Sequence, residues 1–302
     1  MKILITGGAG FIGSILCSEL LNDNHKIIVI DKLIYGISPI AHLLPHKNFK
    51  FIQGDIRNIS DYTTLIKQQD IIIPLAALVG APICKKYPKI SYQTNEKAIK
   101  SLLEITSKKQ KIIFLNSNSG YGAKIKQKIY NEDSPMNPNS IYGITKKNAE
   151  DMIVKNSNFI IFRLATVFGI SYRMRDDVLV HNFVKTAIKK KKLDVYEPEF
   201  NRNFIHISDL VKAIKFSIEN FEILKGEIYN LGLSKENISK YALAKKIAKK
   251  VKGVVIKKIN GPKDPDKRNY IISNKKIEKK GFKTNYSLDK GIDDLIKFYS
   301  NL

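Results

Sequence analysis

Tyr142 and Lys146 lie four positions apart in Tyr142-Gly143-Ile144-Thr145-Lys146, a spacing that puts both side chains on one face of a helix. A phenol with a reference pKa of about 10 is a poor base at neutral pH. A lysine ammonium beside it favours the phenolate and lowers that pKa, so the pair reads as a proton acceptor with its activator. Ser117, in Asn116-Ser117-Asn118-Ser119-Gly120-Tyr121-Gly122, follows a strand-like run and can hydrogen-bond a hydroxyl under oxidation, aligning it with Tyr142. Oxidation of an alcohol needs a hydride acceptor, and the N-terminus offers a place for one. Thr6-Gly7-Gly8-Ala9-Gly10-Phe11-Ile12-Gly13 stands between a short apolar run and a helical pattern. Gly7, Gly10 and Gly13 recur every third position, and Gly8, Gly10 and Gly13 also satisfy G-x-G-x-x-G. Such a turn lets backbone approach a pyrophosphate, which the first N–H groups of the helix, from Phe11 and Ile12 onward, then hold. A second strand-like run ends in Asp31, near the offset of about 20 residues expected for a ribose-binding carboxylate. A carboxylate there accepts from a ribose 2′-hydroxyl and repels a 2′-phosphate, which selects NAD over NADP. Asp55-Ile56, after the third run, can meet the adenine at the sheet edge, or Asp55 can simply cap a turn.

The elements that must position these groups are legible as alternation. Ile3–Ile5, Ile27–Ile30, Phe49–Ile52, Ile71–Leu75, Ile112–Leu115 and Phe159–Leu164 are continuously apolar and rich in β-branched residues, as for strands buried on both faces. Helical patterns lie between them at Ile12–Leu21, Tyr92–Ser107 and Tyr142–Lys155. The expected fold class is α/β, a doubly wound parallel sheet of the Rossmann type. Residues 1–168 are expected to form the NAD-binding domain, with 203–233 joining it, and 169–302 a smaller, interleaved substrate-binding lobe. In that lobe Val178–Lys189, Asp209–Glu219, Lys240–Val251 and Ser287–Tyr299 read as helices, and Leu193–Tyr196, Asn203–Ile207 and Ile228–Leu231 as strands.

Composition sets the remaining bounds. The 302 residues are 43% hydrophobic and 26% charged, a globular balance with no run long enough to cross a membrane. The glycine motif begins almost at Met1, which leaves no room for a signal peptide. Cys17 and Cys84 have neither a CxxC partner nor a His cluster, so a reduced, cytoplasmic protein without a metal site is expected. The formal net charge of +24 comes from lysines spread along the chain, with runs such as Lys189–Lys192 at a helix end. No nucleic-acid-binding motif accompanies it, and neither nucleic acid nor membrane is an expected partner. The field favours anionic ligands.

Together these residues resemble a known family, the extended short-chain dehydrogenases/reductases that act on nucleotide sugars. The likeness runs through nearly the whole chain. It includes Thr6–Gly13, Asp31, Asp55, Leu75-Ala76-Ala77, Asn95, Ser117 to Gly122, Tyr142 with Lys146, Phe162-Arg163-Leu164 and Arg202 to His206. The resemblance implies Ser117, Tyr142 and Lys146 as the catalytic set, with Tyr142 the base. It further implies that Leu75, Ala76 and Ala77 line the nicotinamide side, that Asn95 supports the site, and that Asn182, Arg202 and Arg268 grip the sugar nucleotide. A homodimer is implied as well, through the helices Tyr92–Ser107 and Tyr142–Lys155.

One departure narrows the reaction. Nucleotide-sugar 4,6-dehydratases of this family carry an Asp-Glu pair just after the catalytic Ser/Thr, where this chain has Asn118-Ser119. The glutamate that related decarboxylases use in the same loop is also missing. Oxidation at C4 remains, with or without return of the hydride to the other face. Finer likenesses, at Leu75 to Cys84, Arg173-Met174-Arg175 and Asp264 to Arg268, resemble the GDP-heptose 4-dehydrogenase type of bacterial surface polysaccharide biosynthesis. A UDP-sugar 4-epimerase uses the same three groups, and a non-catalytic NAD-binding regulator is the more distant alternative. Cys84 reads as a small buried hydrophobe and His181 as structural, and both stay outside the catalytic set.

Overall fold

In a computed structural model, which describes residues 1–122, 129–155, 158–261 and 269–302, a seven-stranded parallel sheet forms the centre. Its strands are β1 (Lys2–Thr6), β2 (Lys26–Asp31), β3 (Phe49–Gln53), β4 (Ile71–Pro74), β5 (Lys111–Ser117), β6 (Phe159–Leu164) and β7 (Glu227–Leu231). They run β3-β2-β1-β4-β5-β6-β7 across the sheet, so the strand order reverses at β1 and β4. Ligands of doubly wound sheets sit beyond the carboxyl ends at such a reversal, where the connections diverge to opposite faces and leave a crevice.

The register explains the apolar runs. Ile3 lies between Ile27 of β2 and Ile71 of β4, and Leu115 pairs with Phe162. Ile71, Ile72 and Ile73 are fully buried, and every residue of β6 is buried. A strand covered on both faces by helices has no polar side to alternate with. The helices that matter to the site are α1 (Phe11–Asn22), α2 (Ala98–Ile105), α3 (Ile141–Val154), α4 (Leu179–Lys190), α5 (Ile207–Glu219), α6 (Lys240–Lys250) and α7 (Leu288–Ser300).

The stretch expected as one helix over Tyr92–Ser107 is built differently. A helix over Pro88–Tyr92 passes into a π-turn at Gln93–Lys97 before α2 begins. The periodicity of an α-helix does not betray the extra residue, and such turns concentrate at functional sites.

After β6 the chain interleaves. Glu227–Leu231 adds the last strand of the central sheet, whereas Phe204–His206 pairs with Thr166–Phe168 in a separate two-stranded sheet. A second hydrophobic core, with Phe168, Val184, Leu193, Leu243, Leu288 and Ile292 among its residues, lies between α4, α6 and α7. Ser239 and Ser287 accept hydrogen bonds from Ala242 and Lys290 and so start α6 and α7.

Candidate active site

The glycine turn is built for close backbone approach. Gly7 has φ +75°, and a Cβ there would come within 2.6 Å of the Ala76 nitrogen. A Cβ on Gly13 would meet the Gly7 oxygen and the Gly8 Cα, each at 2.6 Å. The turn therefore presses β1 against the β4 exit at Leu75-Ala76 and lets α1 start directly on the sheet. No side chain caps α1, as at a helix start that holds an anion through its own N–H groups. Asp31, at the end of β2, closes this cradle from the other side. Its two oxygens accept from the Ala9 nitrogen at 2.9 Å and the Leu33 nitrogen at 2.7 Å. A side-chain carboxylate thus fixes the glycine loop through backbone N–H groups and keeps lone pairs for a ribose. The cradle fits a dinucleotide. Asp55 caps the turn at Ile56–Tyr62 and is ion-paired with Lys32 and Arg57, which hold its carboxyl well below the usual carboxylate range. These partners are those of a turn cap, one of the two roles that its spacing allows.

At the catalytic end, Ser140 caps α3 by accepting from the Gly143 nitrogen, and this starts the helix one residue before Tyr142. Lys146 follows one turn later. It is buried, with its Nζ 3.8 Å from the centre of the Phe114 ring. Burial pushes its pKa down to about 7, against the opposing pull of the Glu150 carboxylate. Ser117 ends β5, and its hydroxyl accepts from the Ser119 nitrogen and lies 3.2 Å from the Ser119 hydroxyl. Asn95, on the π-turn, holds the exit of β4 in place. Its amide bonds both the nitrogen and the oxygen of Leu78 and reaches Thr145, the neighbour of Lys146, at 3.4 Å.

Beneath these groups runs a buried polar network that the sequence did not reveal as a unit. Glu150 and Arg163 pair at 2.6 Å, each almost fully buried. Asn116 donates to Glu150 at 2.5 Å and accepts from the Ser117 nitrogen at 2.8 Å. Arg163 also donates to the Tyr121 hydroxyl, which donates to Asn230 at 2.6 Å. Burial pushes the Tyr121 phenol up to about 12. The network ties the strand end carrying Ser117 to the helix carrying Tyr142 and Lys146. Glu150 is one helical turn beyond Lys146, and that spacing is the signal that could have found it.

The loop 169–178 covers the start of α1. Ser171 donates to the Phe11 oxygen at 2.6 Å and lies 3.1 Å from the Ser14 hydroxyl. The Arg173 guanidinium stacks on Tyr35 at 3.6 Å. Arg175 is held by both oxygens of Asp177, and Tyr142 and Tyr35 are close enough that a phenolate on either would hold its proton more firmly. His181 accepts from the Gly169 nitrogen and donates to the Arg175 oxygen, each at 2.9 Å, and its ring meets Phe11 edge-on. Burial pushes its pKa down to about 4. Both ring nitrogens are therefore engaged, as expected of a structural histidine.

The model of the NAD dependent epimerase/dehydratase family matches residues 3–232. The chain belongs to that family. It is 35% identical over 251 residues to an uncharacterized UDP-glucose epimerase, YtcB, of Bacillus subtilis, covering 77% of each chain. A UDP-glucuronic acid 4-epimerase of Bacillus cereus, solved with UDP-glucuronic acid and NAD, superposes with a TM-score of 0.88 at 27% identity, covering 100% of this chain and 99% of that one. A dTDP-glucose 4,6-dehydratase of Bacillus anthracis, solved with NAD, gives 0.83 at 26% identity over 100% and 97%. Relatives of both reaction types fit the fold, so the family leaves the reaction open.

The remaining expected site residues are spread more widely. Arg202 is buried on the strand Asn201–Arg202, with its Nη1 donating to the Asn201 oxygen at 2.9 Å. Asn182 is exposed on α4, beside a depression shared with Phe183 and Thr186, while the adjacent His181 faces the glycine loop. Arg268 lies outside the described residues. Cys84 is fully buried and donates to the Leu78 oxygen at 3.3 Å. No helix among the described residues is long and apolar enough to cross a membrane, and no cluster of His, Cys, Asp or Glu there could hold a metal ion.

Proposed function

We propose that this protein oxidises C4 of a nucleotide-linked sugar with NAD as hydride acceptor. The observation that carries the reading is the joining of Ser117 to the helix of Tyr142 and Lys146 through Asn116 and Glu150, beside a glycine cradle closed by Asp31. The phosphates would lie against the N–H groups at Gly10 to Gly13, the ribose at Asp31, and the nicotinamide near Leu75, Ala76, Ala77 and Asn95. NAD, when bound, supplies the acceptor for the C4 hydride. Ser117 holds the C4 hydroxyl and Tyr142 takes its proton. Lys146 and Arg175 provide positive charge near the phenol, and Lys146 is also placed to bind a ribose hydroxyl. Arg202, Asn182 and Arg268 serve as the contacts to the nucleotide diphosphate and sugar, a guanidinium fork matching paired phosphate oxygens.

The 4-keto sugar can leave or be reduced on its other face. Release corresponds to the GDP-heptose-like 4-dehydrogenase that the finer motifs resemble. Return of the hydride makes the enzyme a 4-epimerase, which the relatives named as UDP-sugar epimerases favour. Incubation with UDP- and GDP-sugars, followed by mass and NMR identification, separates the two. An isomeric sugar marks the epimerase, and a 4-keto sugar with an equivalent of reduced cofactor marks the dehydrogenase. A 4-keto-6-deoxy product would overturn the reading, because Asn118 and Ser119 supply no acid for elimination. The protein is also proposed to pair with a second copy. Ile83, Ile90 and Tyr92, on the helices Ala81–Lys86 and Pro88–Tyr92 packed beside α3, leave more than a third of their surface exposed. Sedimentation that gives a monomer at micromolar concentration would exclude the pair.

A further inference from the structure

Two stretches of chain meet over the glycine cradle. The first follows Asp31 directly. Leu33 has φ +58° and Gly36 φ +77°, and the Gly36 nitrogen donates to the Leu33 oxygen at 3.0 Å, closing a tight turn. A leucine in the left-handed region is strained, and chains keep such strain mostly at functional sites. Here the turn buries nothing at its tip in return, since Ile34 and Tyr35 leave 68% and 60% of their surface exposed. The second stretch is the loop 169–178, which is fixed at both ends. Ser171 bonds the Phe11 oxygen and lies beside Ser14 on α1, while Asp176 bonds Tyr299 of α7 and Lys185 of α4. Between these anchors Arg173 lays its guanidinium on the Tyr35 ring at 3.6 Å, and Tyr172 packs on His42 with ring centres 4.3 Å apart. His42 in turn lies 3.1 Å from the Ser18 hydroxyl on α1.

These contacts fix where the loop runs. Ser171 is bonded to the first residue of α1, the phosphate side of the cradle. Arg173, two residues later, is on a turn that starts at Asp31, the ribose side. The loop therefore crosses from one bank to the other. The side chains that complete the crossing are at the surface, where a cation–π contact is weak. Such a closure opens often and without unfolding anything beneath it.

We propose that Arg173 and Tyr35 form a gate across the cofactor crevice, which NAD has to pass on entering and on leaving. The inference rests on the placement of NAD given above and not on the sugar or the reaction. The gate opens when the guanidinium leaves the ring, either by rotation of Arg173 or by a swing of the turn at 33–36. It acts on the barrier, so its loss speeds entry and exit alike and leaves affinity as it was. Release of reduced cofactor waits on the gate, and a slow gate favours return of the hydride over one-way oxidation.

The test is stopped-flow fluorescence with NADH on the whole protein. Entry is read on mixing with cofactor-free enzyme, and exit on chasing bound NADH with excess NAD. Arg173→Ala and Tyr35→Ala are each expected to raise both rates about 5-fold, with Kd within about 2-fold of wild type. The double variant should match either single one, because both remove the same contact. Tyr35→Phe, which keeps the ring face, should behave as the wild type. Faster exit alone, with Kd raised in proportion, makes Arg173 a direct contact of the cofactor and overturns the gate. Unchanged rates overturn it too, and mark the stack as surface packing. Faster rates that come with a Tm lower by several degrees report a loosened fold and also overturn it. Effects that multiply in the double variant overturn the pairing of the two residues. A wild type that does not bind NADH overturns the placement of NAD itself, whatever the reaction.

Discussion

The two ends of the crevice are made in opposite ways. At the glycine end the backbone is held in place: Asp31 bonds two backbone N–H groups, the Gly10 nitrogen donates to the Gly7 oxygen, and a Cβ on Gly7 or Gly13 would meet backbone. At the catalytic end the chain holds groups that are uncomfortable without a ligand. Lys146 is buried, which pushes its pKa down to about 7, and neither polar atom of the Asn118 amide has a partner. The first end is preorganised and adds to stability, whereas the second stores instability that binding relieves. Substitutions should therefore divide by sign. At the glycine end they cost stability and cofactor together, and at the catalytic end they cost activity while sparing or raising stability.

The largest expected effect is at Tyr142. Tyr142→Phe removes the proton acceptor, and turnover should fall by at least about 10²–10⁴-fold, the usual contribution of a positioned acid or base. Nucleotide-sugar affinity and Tm should change little. Retained turnover would break the mechanism. Gly7→Ala tests the other end. An alanine at φ +75° is strained and its Cβ meets the Ala76 backbone, so stability should fall by about 2–3 kcal/mol and NAD binding with it. A mutant that unfolds as the wild type does, in urea, would show that the turn is not held by this contact.

Lys146→Met sharpens the contrast through its pH dependence. The lysine pKa is lowered from 10.5 unfolded to about 7 in the fold, so the unfolded chain binds the extra proton between those values. Wild-type stability is penalised fully below about pH 7, and the penalty fades as pH rises toward 10.5. K146M should therefore melt above the wild type at pH 6, and the gap should close toward pH 10, while turnover is lost at every pH. A gap that widens with pH would reverse the assignment.

The same division explains what could be read from the sequence. Turn chemistry and apolar periodicity are local, so the glycine motif, Asp31, the strand runs and the Tyr142–Lys146 spacing were all legible. The π-turn that carries Asn95 was not, because one extra residue in a helix leaves no compositional mark. Nor was the Glu150–Arg163 pair, whose members lie 13 residues apart in the chain on different elements. The unbonded Asn118 amide was not legible either, since an asparagine after a strand reads as an ordinary turn residue.

The smallest effect is expected at Asp31, and it probes both properties of the glycine end at once. Asp31→Asn keeps one oxygen to accept from either Ala9 or Leu33, but turns an NH₂ group toward the other N–H. The loss of one charge-assisted bond should lower Tm by the equivalent of about 1–2 kcal/mol. Without the negative charge a 2′-phosphate is no longer repelled, so the NAD/NADP affinity ratio should fall about 10-fold. If stability falls and the ratio holds, Asp31 shapes the loop and leaves cofactor choice to its neighbours. If the ratio falls and stability holds, the two backbone bonds are worth less than their lengths suggest, and the preorganisation of this end belongs to the glycines alone.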